Sequence, residues 1–127
     1  MTLAHPGFLA IESPTPTVHL VRVSGDLDAA TANRLLRIVD ARGHVVAAGD
    51  GATRHVLVDL SGVTGMAPGT ATVLLRAREV AEAHGLTLDL VGTSKHTMTL
   101  SGRDRYQLLR FRSFPTVAAA LQALGRG

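Results

Sequence analysis

Short apolar runs alternate along this chain with longer segments whose apolar residues recur at helical spacing, and that alternation restricts the fold more than any single motif. Thr17–Ser24 reads Thr-Val-His-Leu-Val-Arg-Val-Ser and is apolar on much of both faces. Arg54–Leu60 holds the compact run His-Val-Leu-Val-Asp-Leu, and Thr87–Val91 is another strand. Such runs belong in the middle of a parallel sheet that is covered on both sides. Phe8–Ile11 is a shorter strand, set off by a Ser13–Pro16 turn, so the chain opens with an antiparallel hairpin. Gln107–Phe111 reads as a fifth strand.

Between these runs lie the helices. Asp28 is placed to cap the first, because its carboxylate can accept from the unpaired amides of the opening turn. Ala32, Leu35, Leu36, Val39, Gly43, Val46 and Ala47 then share one face, and Gly49-Asp50-Gly51 ends the helix. Pro68 and Gly69 lead into a second helix that runs to His84. At 100° per residue, Thr70, Val73, Leu74, Ala77, Val80, Ala81 and His84 face inward, and Thr72, Leu75, Arg76, Glu79 and Glu82 face outward. Ser94 caps a short helix that ends at Ser101-Gly102, and a last helix starts near Pro115 with Val117, Ala120, Leu121 and Leu124 on one side. The order β-β-α-β-α-β-α-β-α implies right-handed crossovers and an α/β fold, with an antiparallel first strand, an otherwise mainly parallel sheet and about four helices.

The 127 residues, 46% apolar and without cysteine, amount to one domain. We expect a domain over residues 8–124, with tails at 1–7 and 125–127. Absence of cysteine removes disulfides, thiolate metal sites and thiol nucleophiles. No stretch approaches the roughly 20 apolar residues of a spanning helix, so a cytoplasmic protein with no membrane contact is expected. The pI near 10.6 raises the question of nucleic acid. However, residues 1–63 carry five Arg against six acids, and the excess lies around Arg103, Arg105, Arg110 and Arg112. Asp104 interrupts that group and only Tyr106 and Phe111 could stack on bases, so a solvated basic edge is the better reading.

No catalytic or cofactor chemistry is legible. The six histidines, at 5, 19, 44, 55, 84 and 96, form no HExxH and no i, i+4 pair, so neither a metal site nor a cofactor is expected. Asp26, Asp28 and Asp59 near strand ends invite comparison with phosphoacceptor receivers, but capping and turn formation account for them. Gly62-x-x-Gly65-x-x-x-Gly69-Thr70 has glycines at a helix start, as a phosphate loop does, yet lacks the lysine before the hydroxyl residue. The expectation is a protein without enzymatic activity.

Several segments, in order, resemble the STAS domain, the family named for sulfate transporters and anti-sigma factor antagonists. They are Val23-Ser24-Gly25-Asp26-Leu27-Asp28, Val56-Leu57-Val58-Asp59-Leu60-Ser61-Gly62-Val63-Thr64, Met98-Thr99-Leu100-Ser101-Gly102, and the last helix with Val117 and Ala118-Ala119-Ala120-Leu121. The resemblance spans about residues 8 to 124 and, in size, is to stand-alone bacterial antagonists. It implies a STAS-like fold and partner-switching control of transcription. The antagonist docks on an anti-sigma factor that is a histidine-kinase-like ATPase, and phosphorylation of a serine at the start of the second helix breaks the complex.

The family's Asp-Ser-Ser-Gly signature aligns here with Ala67-Pro68-Gly69-Thr70. Gly69 takes the acceptor position and has no hydroxyl, so the resemblance implies that the usual serine switch is missing. Thr70 and Thr72 are the nearby substitutes, Thr70 facing inward and Thr72 outward. The implied docking residues are Gly25, Asp26, Asp28, Met66, Ala67, Pro68, Gly69, Thr70, Thr72, Leu75, Arg76 and Glu79, with Leu75 an outward apolar contact. The alternative is a small-ligand sensor, in which backbone amides at the second helix's start bind a nucleotide or anion.

Overall fold

A computed structural model describes residues 7–93 and 100–125. Its elements are β1 (Phe8–Thr15), β2 (Val18–Leu27), α1 (Ala29–Ala47), β3 (His55–Met66), α2 (Thr70–Ala83), β4 (Thr87–Val91), α3 (Gly102–Leu108), β5 (Ser113–Phe114) and α4 (Val117–Leu124). The strands lie side by side in chain order, β1-β2-β3-β4-β5. β1 is antiparallel to β2, and every other pair is parallel.

The continuous apolar runs sit where their composition demands. Val56, Leu57, Val58 and Leu60 of β3 are fully buried because β3 is the central strand and both of its faces are covered. Alternation sorts them. Val56, Val58 and Leu60 join Val21, Val23, Leu88 and Leu90 under α1 and α2, while Leu57 turns the other way with Val18, Leu20 and Val91 toward α4. Asp28 caps α1 as its sequence position implies, its Oδ1 accepting from the Thr31 amide at 2.8 Å. Those Thr31 bonds hold the Asp28 carboxyl below its ordinary value. No helix among the described residues is long and apolar enough to cross a membrane.

Several elements differ from the sequence expectation. β1 continues to Thr15, and the turn falls at Pro16-Thr17. β3 does not stop at Leu60: it runs on to Met66 beside β2, with register shifts between Asp59 and Gly62 and between Val63 and Gly65. The expected strand at Gln107–Phe111 is instead the end of α3 and the turn after it, and β5 is the two residues Ser113 and Phe114. Ser101-Gly102 begins a helix rather than ending one, because the Ser101 hydroxyl accepts from the Asp104 amide at 3.1 Å. The helix expected from Ser94 falls mostly on residues 94–99, outside the described residues. Once α3 is a helix, Leu108 and Phe111 lie three residues apart on one side of the segment and enter the core below α2.

One buried polar group stands apart in this core. His19 is 3% exposed, and its Nδ1 has no hydrogen-bond partner among the described residues. Desolvation, with the Arg42 charge second, lowers its pKa from the ordinary 6.5. The unfolded chain therefore binds the proton first, and this contribution to stability is complete above pH 6.5 and is lost as pH falls below it. The variant His19→Leu should flatten the stability profile below about pH 6.5, measured by urea denaturation across pH. An unchanged acid limb would refute the assignment.

Candidate docking site at the start of α2

The site is built around a junction between helices. Gly69 precedes α2 with φ of 88° and offers no side-chain cap. An uncapped start normally leaves four amides without partners. Here α3 supplies the cap from across the chain. Asp104 is fully buried, its Oδ2 accepting from the Gly69 amide at 3.2 Å and its Oδ1 from the Ala71 amide at 3.1 Å. Ser101 Oγ donates to the same carboxylate at 2.7 Å. The Thr70 amide donates to the Ala67 carbonyl at 3.1 Å, and the Thr72 amide to the Gly69 carbonyl at 3.2 Å. All four amides from Gly69 to Thr72 are thus satisfied from within the chain.

This closure bears on each candidate residue. Gly69 is exposed, and a Cβ there would meet nothing within 4 Å. A serine would have room but would enter the left-handed region at a cost of about 1–2 kcal/mol. Thr70 faces inward, as its wheel position implies. It is 3% exposed, and its hydroxyl donates to the Ala67 carbonyl at 2.5 Å. Thr72 is exposed and exchanges hydrogen bonds with the Gln107 side chain at 3.0 and 3.2 Å. Leu75 does not face outward. It is 7% exposed and joins Leu108 and Phe111 in the core, because α3 covers the side of α2 that the sheet leaves open. Met66, 6% exposed, is likewise a core residue.

What remains accessible is a rim. Gly25, Asp26, Asp28, Ala67, Pro68 and Gly69 reach the surface, with Thr72, Arg76 and Glu79 further along α2. Asp26 accepts from the Thr64 hydroxyl at 2.9 Å and, with Asp28, Gly65 and Ala67, lines an open depression of about 330 Å³. Asp59 does not join these acids. It pairs with Arg22 at 2.9 Å and accepts from the Ser61 amide and hydroxyl. The depression therefore carries two carboxylates, and the helix amides beside it are occupied. Both features oppose an anion at this point, which is what the small-ligand reading requires.

Sequence reasoning missed Asp104 and Gln107 as parts of this site. The signal for Asp104 was present as Ser101-x-x-Asp104, a helix-start pattern.

The family model described as Mlab, STAS domain matches residues 12–110. The chain belongs to the STAS domain family. Among solved structures, this STAS domain is similar to an anti-sigma factor antagonist from Mycobacterium paratuberculosis, with 24% identity, 97% of this chain and 99% of that one covered, and a TM-score of 0.65. It is similar to the anti-sigma factor antagonist SpoIIAA in its unphosphorylated form at 14% identity, 94% and 99% coverage, and the same TM-score. The murine anion transporter Slc26a9 in the inward-facing state matches at 14% identity and TM-score 0.62, covering 97% of this chain and 22% of that one. At these identities the likeness is one of fold. No curated protein is similar enough in sequence to count as a relative.

Removing the Asp104 carboxylate strands two amides at a buried junction. Asp104→Ala should destabilise by about 2–3 kcal/mol in urea denaturation, and Asp104→Asn, which keeps one acceptor oxygen, by less. A loss below about 0.5 kcal/mol for the alanine variant would mean that water replaces the cap.

Proposed function

We propose that this STAS domain is a non-enzymatic binding module of the anti-sigma factor antagonist type. It docks on an anti-sigma factor, of the histidine-kinase-like ATPase class, and does so without the serine phosphorylation switch. The observation that carries the reading is the start of α2, where the acceptor position is an exposed glycine and a buried carboxylate already holds the neighbouring amides. A phosphate switch works by adding a dianion to a docking surface, where repulsion and desolvation oppose the partner. Gly69 has no atom to carry that charge. Of the two substitutes, Thr70 spends its hydroxyl on the Ala67 carbonyl inside the protein, and Thr72 is tied to Gln107. The antagonist would then bind constitutively, with control resting on its abundance or on its partner.

The docking rim comprises Gly25, Asp26, Asp28, Ala67, Pro68 and Gly69, extended along α2 by Thr72, Arg76 and Glu79. Its two carboxylates, Asp26 and Asp28, have no basic side chain bonded to them among the described residues and favour a partner with a basic contact. Pro68 and Arg76 are exposed, so their substitution tests the surface without touching the core. In a mixing assay with an anti-sigma factor from the same genome, Pro68→Asp and Arg76→Glu should each weaken binding at least about tenfold, or 1.4 kcal/mol, with unchanged melting. No complex with any such factor, or wild-type binding by both variants, would overturn the reading. With ATP present, no phosphate should be incorporated. Stoichiometric phosphorylation of Thr72 would restore a switch and refute that half of the proposal.

A further inference from the structure

Far from the docking rim, at the other end of α2, three potential metal ligands converge from two helices. Asp40 and His44 lie four residues apart on α1 and so share one face. His84 is the residue that closes α2. Its Nε2 lies 3.4 Å from Asp40 Oδ1, and the Nε2 of His44 lies 3.5 Å from the same oxygen. The two imidazole rings meet edge to face with centroids 4.9 Å apart. All three ligand atoms fall within 4.8 Å of one another.

These separations are long for hydrogen bonds, which favour about 2.7–3.2 Å between N and O. They match a different geometry. Ligands at about 2.0–2.2 Å from a tetrahedral zinc ion stand about 3.3–3.5 Å from each other. Asp40 to His44 and Asp40 to His84 are therefore already two edges of such a tetrahedron, and the third closes with a small rotation of the half-exposed Asp40 or the exposed His44.

The backbone of α1 is shaped for this approach. Gly43 sits inside a 19-residue helix, where glycine costs about 1 kcal/mol relative to alanine. A Cβ at that position would lie 2.1 Å from Cδ2 and 2.4 Å from Cγ of His84. Only a residue without a side chain lets the ring rest on the helix and reach Asp40. His84 is 19% exposed and held, whereas Asp40 and His44 are 51% and 70% exposed, so the cluster is anchored on one side and open to solvent on the other.

We propose that Asp40, His44 and His84 bind one zinc-class divalent ion, with water completing its coordination. Two imidazoles and a carboxylate suit zinc, and they also suit cobalt, nickel and copper, but not the oxygen-seeking calcium or magnesium. The ion would cross-link α1 to the end of α2. That end is about 21 Å along the 14-residue helix from Gly69, so the site is separate from the docking rim.

Untagged full-length protein, freed of metal and titrated with zinc chloride in a calorimeter, should bind one ion per chain with micromolar affinity. Cobalt should give the intense visible absorption of a four-coordinate site. His44→Ala, at an exposed position, should weaken zinc binding at least tenfold without altering the fold. Gly43→Ala is the sharper test, since it keeps all three donors and displaces the His84 ring. It should cost as much affinity as His44→Ala while circular dichroism remains native. Absence of binding below millimolar zinc would overturn the proposal. So would binding that survives both substitutions, which would place the ion on other histidines.

Discussion

The buried Asp104 carboxylate stands where α2, α3 and the end of β3 meet, and the surface available to a partner follows from the bonds it makes. Left to itself, the glycine-led start of α2 would present unpaired amides and the positive end of a helix to solvent. Asp104 fills that place from inside and pins α3 against α2 in doing so. With α3 fixed, Leu75 and Phe111 become core, Arg78 lies over the Phe111 ring at 4.8 Å, and Gln107 reaches Thr72. What this junction leaves exposed is the carboxylate rim and the outer side of α2.

This arrangement gives Gly69 a structural role. Gly69 is not merely a residue without a hydroxyl, since its positive φ and the hydrogen bond its amide donates to Asp104 are both part of how the helix starts. Conversion to serine would meet backbone strain in a conformation that the rest of the junction holds in place. The start of α2 is therefore held by several residues together, with Ala67 offering its carbonyl to Thr70 and Asp104 its carboxylate to Gly69 and Ala71.

Most of the architecture was legible in the residues. The β2, β3 and β4 runs are continuously apolar because a parallel sheet buries both faces, and Asp28 announces the start of α1 by its chemistry. Legibility failed where a short segment carried its signal in tertiary contacts. Gln107–Phe111 is too brief for periodicity to separate strand from helix, and its apolar residues suit either. Leu75 was misplaced because a helical wheel drawn against the sheet alone takes no account of a second neighbour, and α3 widens the buried arc of α2. The cluster of Asp40, His44 and His84 was invisible for a related reason. Its members are split between two helices, and only the packing around Gly43 brings them together.

The strand order carries a consequence for how the molecule assembles. Because β1 to β5 neighbour one another in the order they occur in the chain, no pairing has to wait for a distant segment to return across the sheet. Loop-closure entropy is met in small instalments, one crossover at a time, each new strand adding to an edge that its predecessor has just created. A domain of this kind can complete its hydrophobic layers progressively, and its transient open edge is always the one that the next stretch of polypeptide is about to cover.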